Sequence, residues 1–227
     1  MGVICWRDII DMLWSVSMAL NFIHEHNLIH GHLHGGNILI ECEMDSIDAK
    51  MADTGLHGPV DRQMSSSPQT YGVIPFAAPE IFSGNIPTKA SDVYSFGMIM
   101  WMLSAGTRPY HDKPHDRQLI QDICSGLRPS VINGTPDIYA GLMLQCLDTN
   151  PSNRPTASQL YECLGNWASA IDDLSELSVQ FGAADLFKIF NPANLENLSY
   201  HEKAIYYSRP LDSINIESSI QLFYGKT

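Results

Sequence analysis

The sequence predicts a mainly α-helical fold, a helical bundle carrying one small β-hairpin, and three observations lead there. One long segment repeats its apolar residues at helical spacing. A second is apolar on nearly every side, and between the two lies a pair of short apolar runs flanking a polar turn. The 227 residues suffice for one sizeable core, or for a core of roughly 150 to 200 residues plus an appendage.

From Trp6 to His26, the residues Ile9, Leu13, Val16, Leu20 and Ile23 recur at steps of four and three, so one face of a long helix is buried and Asn27 closes it. Apolar segments at Asn37 to Glu41 and Ala49 to Ala52 flank the turn Glu43 to Asp48 and predict a hairpin. Glycine, serine and proline dominate from Thr54 to Ala77, an irregular segment whose length marks it as functional or mobile. The helix Ala90 to Ser104 is apolar all round and belongs at the centre of a domain, ended by Gly106 and Pro109. Shorter helices are expected at His115 to Cys124, Asp137 to Leu147 and Thr156 to Ala168. After about Asp172 the pattern weakens. One or two helices over Leu174 to Phe190, another over Leu195 to Tyr207 and a partly ordered end make residues 171–227 an appendage to a domain spanning 1–170.

Composition narrows the function classes. No apolar run approaches the roughly 20 residues needed to span a bilayer, and no basic segment followed by an apolar one opens the chain. A net charge of -12 without clustered lysine or arginine argues against nucleic acid and anionic membrane as partners. The five cysteines are scattered, odd in number and without C-x-x-C pairing, which predicts reduced thiols in a cytoplasmic or nuclear protein.

Five short motifs stand in order. His30-Gly31-His32-Leu33-His34-Gly35-Gly36-Asn37 resembles the protein-kinase catalytic loop H-R-D-L-x-x-x-N, and Lys50 to Leu56, with Asp53, Thr54 and Gly55, resembles the strand entering D-F-G. Ala78-Pro79-Glu80 is similar to the A-P-E that ends the activation segment, here 53–80. Ser91 to Gly97 resembles the start of the central helix, and Cys146 through Arg154-Pro155 the C-x-x-x-x-P-x-x-R-P run. Over about residues 6 to 168 the chain is thus similar to the large C-terminal lobe of a tyrosine-kinase-like kinase, and that resemblance implies the rest of this subsection.

Asn37 and Asp53 occupy the places that hold magnesium against ATP, a task for hard oxygen ligands; the alternative is that Asn37 only bonds loop backbone and Asp53 only caps a turn. Leu39 stands where the family packs a side chain under adenine, although a strand leucine is also ordinary core. Glu80 and Arg154 are expected to form a buried pair, Asp92 to accept amides of the catalytic loop, and His30 to be the packed family histidine.

Other positions depart from the family. His32 replaces the aspartate that orients the substrate hydroxyl, a loss worth about 10²- to 10⁴-fold in rate as a general base. Gly31 replaces an arginine, His34 a lysine usual in Ser/Thr kinases, and Thr54 the D-F-G phenylalanine. These residues contain no G-x-G-x-x-G and no V-A-I-K lysine, so the sequence predicts a lobe without its small N-lobe. His24, His26, His30, His32 and His34 also crowd together, but no cysteine or carboxylate cluster completes a tetrahedral metal site. Ser65 to Ser67 before Pro68 form either a phosphosite or a solvated loop.

The expectation is an inactive, pseudokinase-like module that binds protein partners, a kinase small lobe or another kinase among them, through apolar positions around His30, Leu39 and Thr54. The alternative is a fragment of an ATP-dependent kinase acting on Ser/Thr or Tyr together with a missing N-lobe.

Overall fold

Helix α1, Trp6–Glu25, begins with a capping box in which the Cys5 thiol accepts the Asp8 amide and the Asp8 carboxylate accepts the Cys5 amide. Its apolar stripe, Trp6, Ile9, Leu13, Val16 and Leu20, is completely removed from water or nearly so. Asn27, at φ 53, takes the left-handed conformation that ends the helix. This is a computed structural model, which describes residues 4–42, 47–53, 71–171, 173, 175–190 and 199–211. Thr54, Gly55, the serine run 65–67 and the hairpin turn 43–46 lie outside the described residues.

Strands β1, Ile38–Cys42, and β2, Ile47–Met51, form the antiparallel hairpin, with Ile38 opposite Met51 and Ile40 opposite Ala49. It begins one residue later than Asn37, because Asn37 ends a 3-10 turn, Gly35–Asn37, started by the His34 ring accepting the Gly36 amide. The end of the irregular segment is ordered: strand β3, Tyr71–Gly72, leads through a 3-10 turn to α2, Pro79–Phe82.

Helix α3, Lys89–Ala105, is capped by Thr88 and ends at Gly106, whose φ of 66 suits glycine. Val93, Tyr94, Phe96, Met98, Ile99 and Met100 are all buried, as its uniform hydrophobicity requires. Three further helices follow: α4, Arg117–Cys124, which packs on α2; α5, Asp137–Cys146; and α6, Ala157–Ala170. α1 packs along α6, and α3 against α5. Among the described residues no helix is long and apolar enough to cross a membrane.

Beyond α6 the chain returns to the core. Helix α7, Glu176–Phe190, inserts Phe181 against Trp6 and Trp167 at ring distances of 5.9 and 6.0 Å, and Asp185 accepts the Trp6 amide at 2.9 Å. The helix predicted over Leu195 to Tyr207 is not formed in its described part, 199–207. There the backbone bonds residues 107–115 instead, which competes with a helical ladder: His201 donates to the His111 carbonyl and Lys203 accepts the His115 amide. Strand β4, Arg209–Pro210, then pairs antiparallel with β3.

Candidate functional site

The catalytic-loop segment hangs from one carboxylate. Asp92, in the first turn of α3 and 1% exposed, accepts the His30 amide at 2.9 Å, the Gly31 amide at 2.8 Å and the His24 Nε2–H at 3.0 Å. A buried carboxylate needs such donors to offset its lost hydration. Gly31 sits at φ 77, where glycine escapes the strain an arginine would bear. His24 is the residue that sequence reasoning missed. Its signal was position: it follows Leu20 by four and so falls on the buried stripe of α1.

His30, expected as a packed histidine, is fully buried. Its ring is held on both sides, with Nε2–H donating to the Ala52 carbonyl at 3.3 Å and Nδ1 accepting the His32 amide at 3.3 Å. His32 follows at the rim of a small cleft lined also by Gly31, Val73, Ala77, Asp92 and Leu211. Asn37 is buried, and its Nδ2 donates to the His32 carbonyl at 3.0 Å. This bond turns the amide so that Oδ1 is the atom left for any other ligand.

The hairpin aligns Asn37 with Asp53. The Ala52 amide donates to the Asn37 carbonyl at 2.8 Å, one step beyond the Ile38–Met51 pair, and Asp53 comes next. Asp53 is exposed at φ 56, a conformation that aspartate adopts more readily than most residues and that persists where the surroundings demand it. Asn37 Oδ1 and the Asp53 carboxylate are hard oxygen donors, so by donor chemistry the pair fits magnesium presented with a phosphate.

The histidines form an electrostatic cluster without converging on a metal. Burial, then the neighbouring His30, hold His34 below the ordinary imidazole range, with Asp53 opposing. His24 turns to Asp92 and His26 to the Phe22 carbonyl. Among the described residues no three His, Cys, Asp or Glu side chains are grouped to hold an ion. Leu39 on β1 is 58% exposed.

The activation segment is anchored at its far end. Arg154 donates to both Glu80 oxygens, at 2.7 and 2.9 Å, and to the carbonyls of Ala90 and Asp148. The guanidinium groups of Arg128 and Arg154 each lie 5.1 Å from the centre of the Tyr94 ring, and burial pushes its hydroxyl up to about 12. The Ser95 hydroxyl, also missed from sequence, donates to the Phe76 carbonyl at 2.7 Å and ties the segment to α3.

Residues 2–164 match the family described as protein tyrosine and serine/threonine kinase. The chain is 31% identical over 161 residues to a probable serine/threonine-protein kinase of Dictyostelium discoideum, an alignment covering 70% of this chain and 10% of that protein. It is 29% identical over 158 residues to the dual specificity protein kinase splA of the same organism, covering 64% and 7%. With mitogen-activated protein kinase kinase kinase 4 of Mus musculus it shares 27% over 155 residues, covering 65% and 10%. The chain thus spans a tenth or less of these relatives. It belongs to the protein tyrosine and serine/threonine kinase family.

Proposed function

We propose that the chain is a catalytically inactive, pseudokinase-like lobe of the tyrosine-kinase-like type that serves in cytoplasmic signalling as a protein-interaction module. The observation that carries this reading is His32. At the position of the loop aspartate stands an imidazole in a cluster with His30 and His34, so the negative charge that would orient a hydroxyl is replaced by groups that are neutral or positive. Phosphoryl transfer rests on positioning and electrostatics more than on covalent help from the protein, so that exchange removes a large part of what the loop would contribute. Meanwhile the bonds of Asp92, Glu80 and Arg154 support a rigid scaffold, and the exposed Leu39 and Ile40, on alternate faces of β1, offer apolar surface to a partner.

The test is phosphotransfer from labelled ATP with magnesium to the chain itself and to a general protein acceptor, beside Asp53→Ala. Equal background incorporation by both is expected. Incorporation by the unmodified chain that Asp53→Ala abolishes would overturn the proposal.

A second reading is favoured by the alignment of Asn37 with Asp53 and by the exposed apolar residues Leu39 and Ile40 of β1. Here the chain is part of an ATP-dependent kinase whose small lobe, with its glycine-rich loop and lysine, is supplied by adjoining sequence or by another chain. Coding sequence upstream of Met1 that contains a glycine-rich loop and a strand lysine would favour it. Unrelated upstream sequence, together with no association at high concentration, would count against it.

A further inference from the structure

The segment 199–211 runs from the loop that follows α3 to a cleft that His32 also lines. It is anchored along the loop that follows α3. The His201 amide donates to the His111 carbonyl at 2.8 Å, the His115 amide to the Lys203 carbonyl at 3.0 Å, and the Tyr206 hydroxyl to the Pro109 carbonyl at 2.8 Å. Arg108 lies 5.0 Å over the Tyr206 ring, the His115 ring packs edge-on to it at 4.8 Å, and the Arg209 guanidinium donates to the His115 carbonyl. The segment then adds β4 to the edge of β3, in the activation segment, and leaves Leu211 only 3% exposed.

Leu211 lines the same cleft as Gly31, His32, Val73 and Asp92 and lies directly on Gly72, where a Cβ would come within 3.2 Å of its Cδ1. An unpaired strand edge beside an apolar pocket is the arrangement that binds an extended peptide, with main-chain bonds giving affinity and one side chain filling the pocket. Here the chain itself pairs the edge with β4 and sets Leu211 on Gly72 as one wall of the cleft.

We propose that residues 199–211 are an intramolecular ligand of the activation segment: a strap whose β4 strand occupies the β3 edge and whose Leu211, seated on Gly72, walls one side of the cleft next to His32. While it is closed, the β3 edge is paired and Leu211 is packed against Gly72, so neither is open to a partner. Once it is released, both become available together. This holds whether or not the loop transfers phosphate, and its readout is independent of phosphotransfer.

The test is hydrogen exchange by mass spectrometry on the whole chain, unmodified and as Leu211→Glu. In the unmodified chain, segments 71–77 and 199–211 are expected to be protected. In Leu211→Glu both are expected to exchange at least about tenfold faster, the scale set by losing one buried leucine, while α1 and α3 stay unchanged. Tyr206→Ala, at the other end of the strap, is expected to release the same two segments, which covers the case in which Leu211→Glu misfolds. A synthetic peptide of residues 199–211 at about millimolar concentration, near the effective concentration of a tethered segment, is expected to restore protection of 71–77 in Leu211→Glu. A peptide carrying the same Glu is not. The proposal is overturned if 199–211 loses protection while 71–77 keeps it, if neither segment is protected in the unmodified chain, or if the wild-type peptide restores nothing.

Discussion

His24 Nε2 and Asp92 Oδ2 meet at 3.0 Å with both side chains buried, joining the last turn of α1 to the first turn of α3. The same carboxylate carries the amides of His30 and Gly31, so it connects the core to the loop that presents His32. Asp92→Ala is therefore expected to cost about 3 to 5 kcal/mol, because several buried donors lose their acceptor at once. His24→Ala removes one donor of the three and should cost less, about 1 to 3 kcal/mol. Urea unfolding of the two variants measures the order, and equal costs would mean that the backbone donors contribute nothing.

Among the described residues Arg154 is bonded more widely than Glu80. Beyond the paired bonds to the carboxylate it donates to the Ala90 and Asp148 carbonyls and lies over Tyr94. Arg154→Met should thus destabilise the chain more than Glu80→Gln. A double-mutant cycle is expected to return a coupling of about 0.5 to 3 kcal/mol, since the two are in direct contact.

Two helical glycines should respond in opposite directions to alanine. At Gly97 on α3 a Cβ would lie 2.7 Å from Cys146 Cβ, so overpacking of about 1 to 3 kcal/mol exceeds the roughly 1 kcal/mol gained in helix propensity. Among the described residues Gly141 on α5 has nothing within 4 Å of an added Cβ, and Gly141→Ala should stabilise by about 0.5 to 1 kcal/mol. Thermal melts of both variants check the pair.

Stability should fall on mild acidification. Burial lowers the His115 and His34 rings from their ordinary 6.5, so the folded state prefers them neutral. The stability they contribute is fully present above about 6.5 and is lost as pH falls through their depressed folded values. Around His115 stand Arg209, His201 and the Tyr206 ring; the guanidinium opposes its protonation, while the carbonyls of Ile205 and Tyr110 favour it without offsetting burial. Denaturation midpoints at about pH 7.5 and about pH 5 should differ in that direction, and less so in His115→Phe.

Helix content was legible wherever one pattern decided it. The stripe from Ile9 to Leu20 and the unbroken hydrophobicity from Val93 to Met100 specified α1 and α3 to within a residue or so at each end. The short polar residues framing the loop were legible through their spacing, and Glu80, Arg154 and Asp92 stand where their bonds can be read directly. His24 was not, because a histidine on an apolar stripe reads as a helix end until the carboxylate 68 residues away is placed beside it. The strap was missed for a related reason. Its stability comes from bonds to residues 107–115 and to β3, and a segment held by distant partners carries no period of its own.

The most direct measurement is a thermal-shift titration of the chain with ATP and magnesium, beside ATP with EDTA. The account predicts the same melting temperature in both, because within these residues Asn37 and Asp53 have neither the glycine-rich loop nor the lysine that complete a nucleotide site. A magnesium-dependent rise of several degrees, corresponding to about 2.7 kcal/mol at roughly 100 times the dissociation constant and absent in Asp53→Ala, would contradict it.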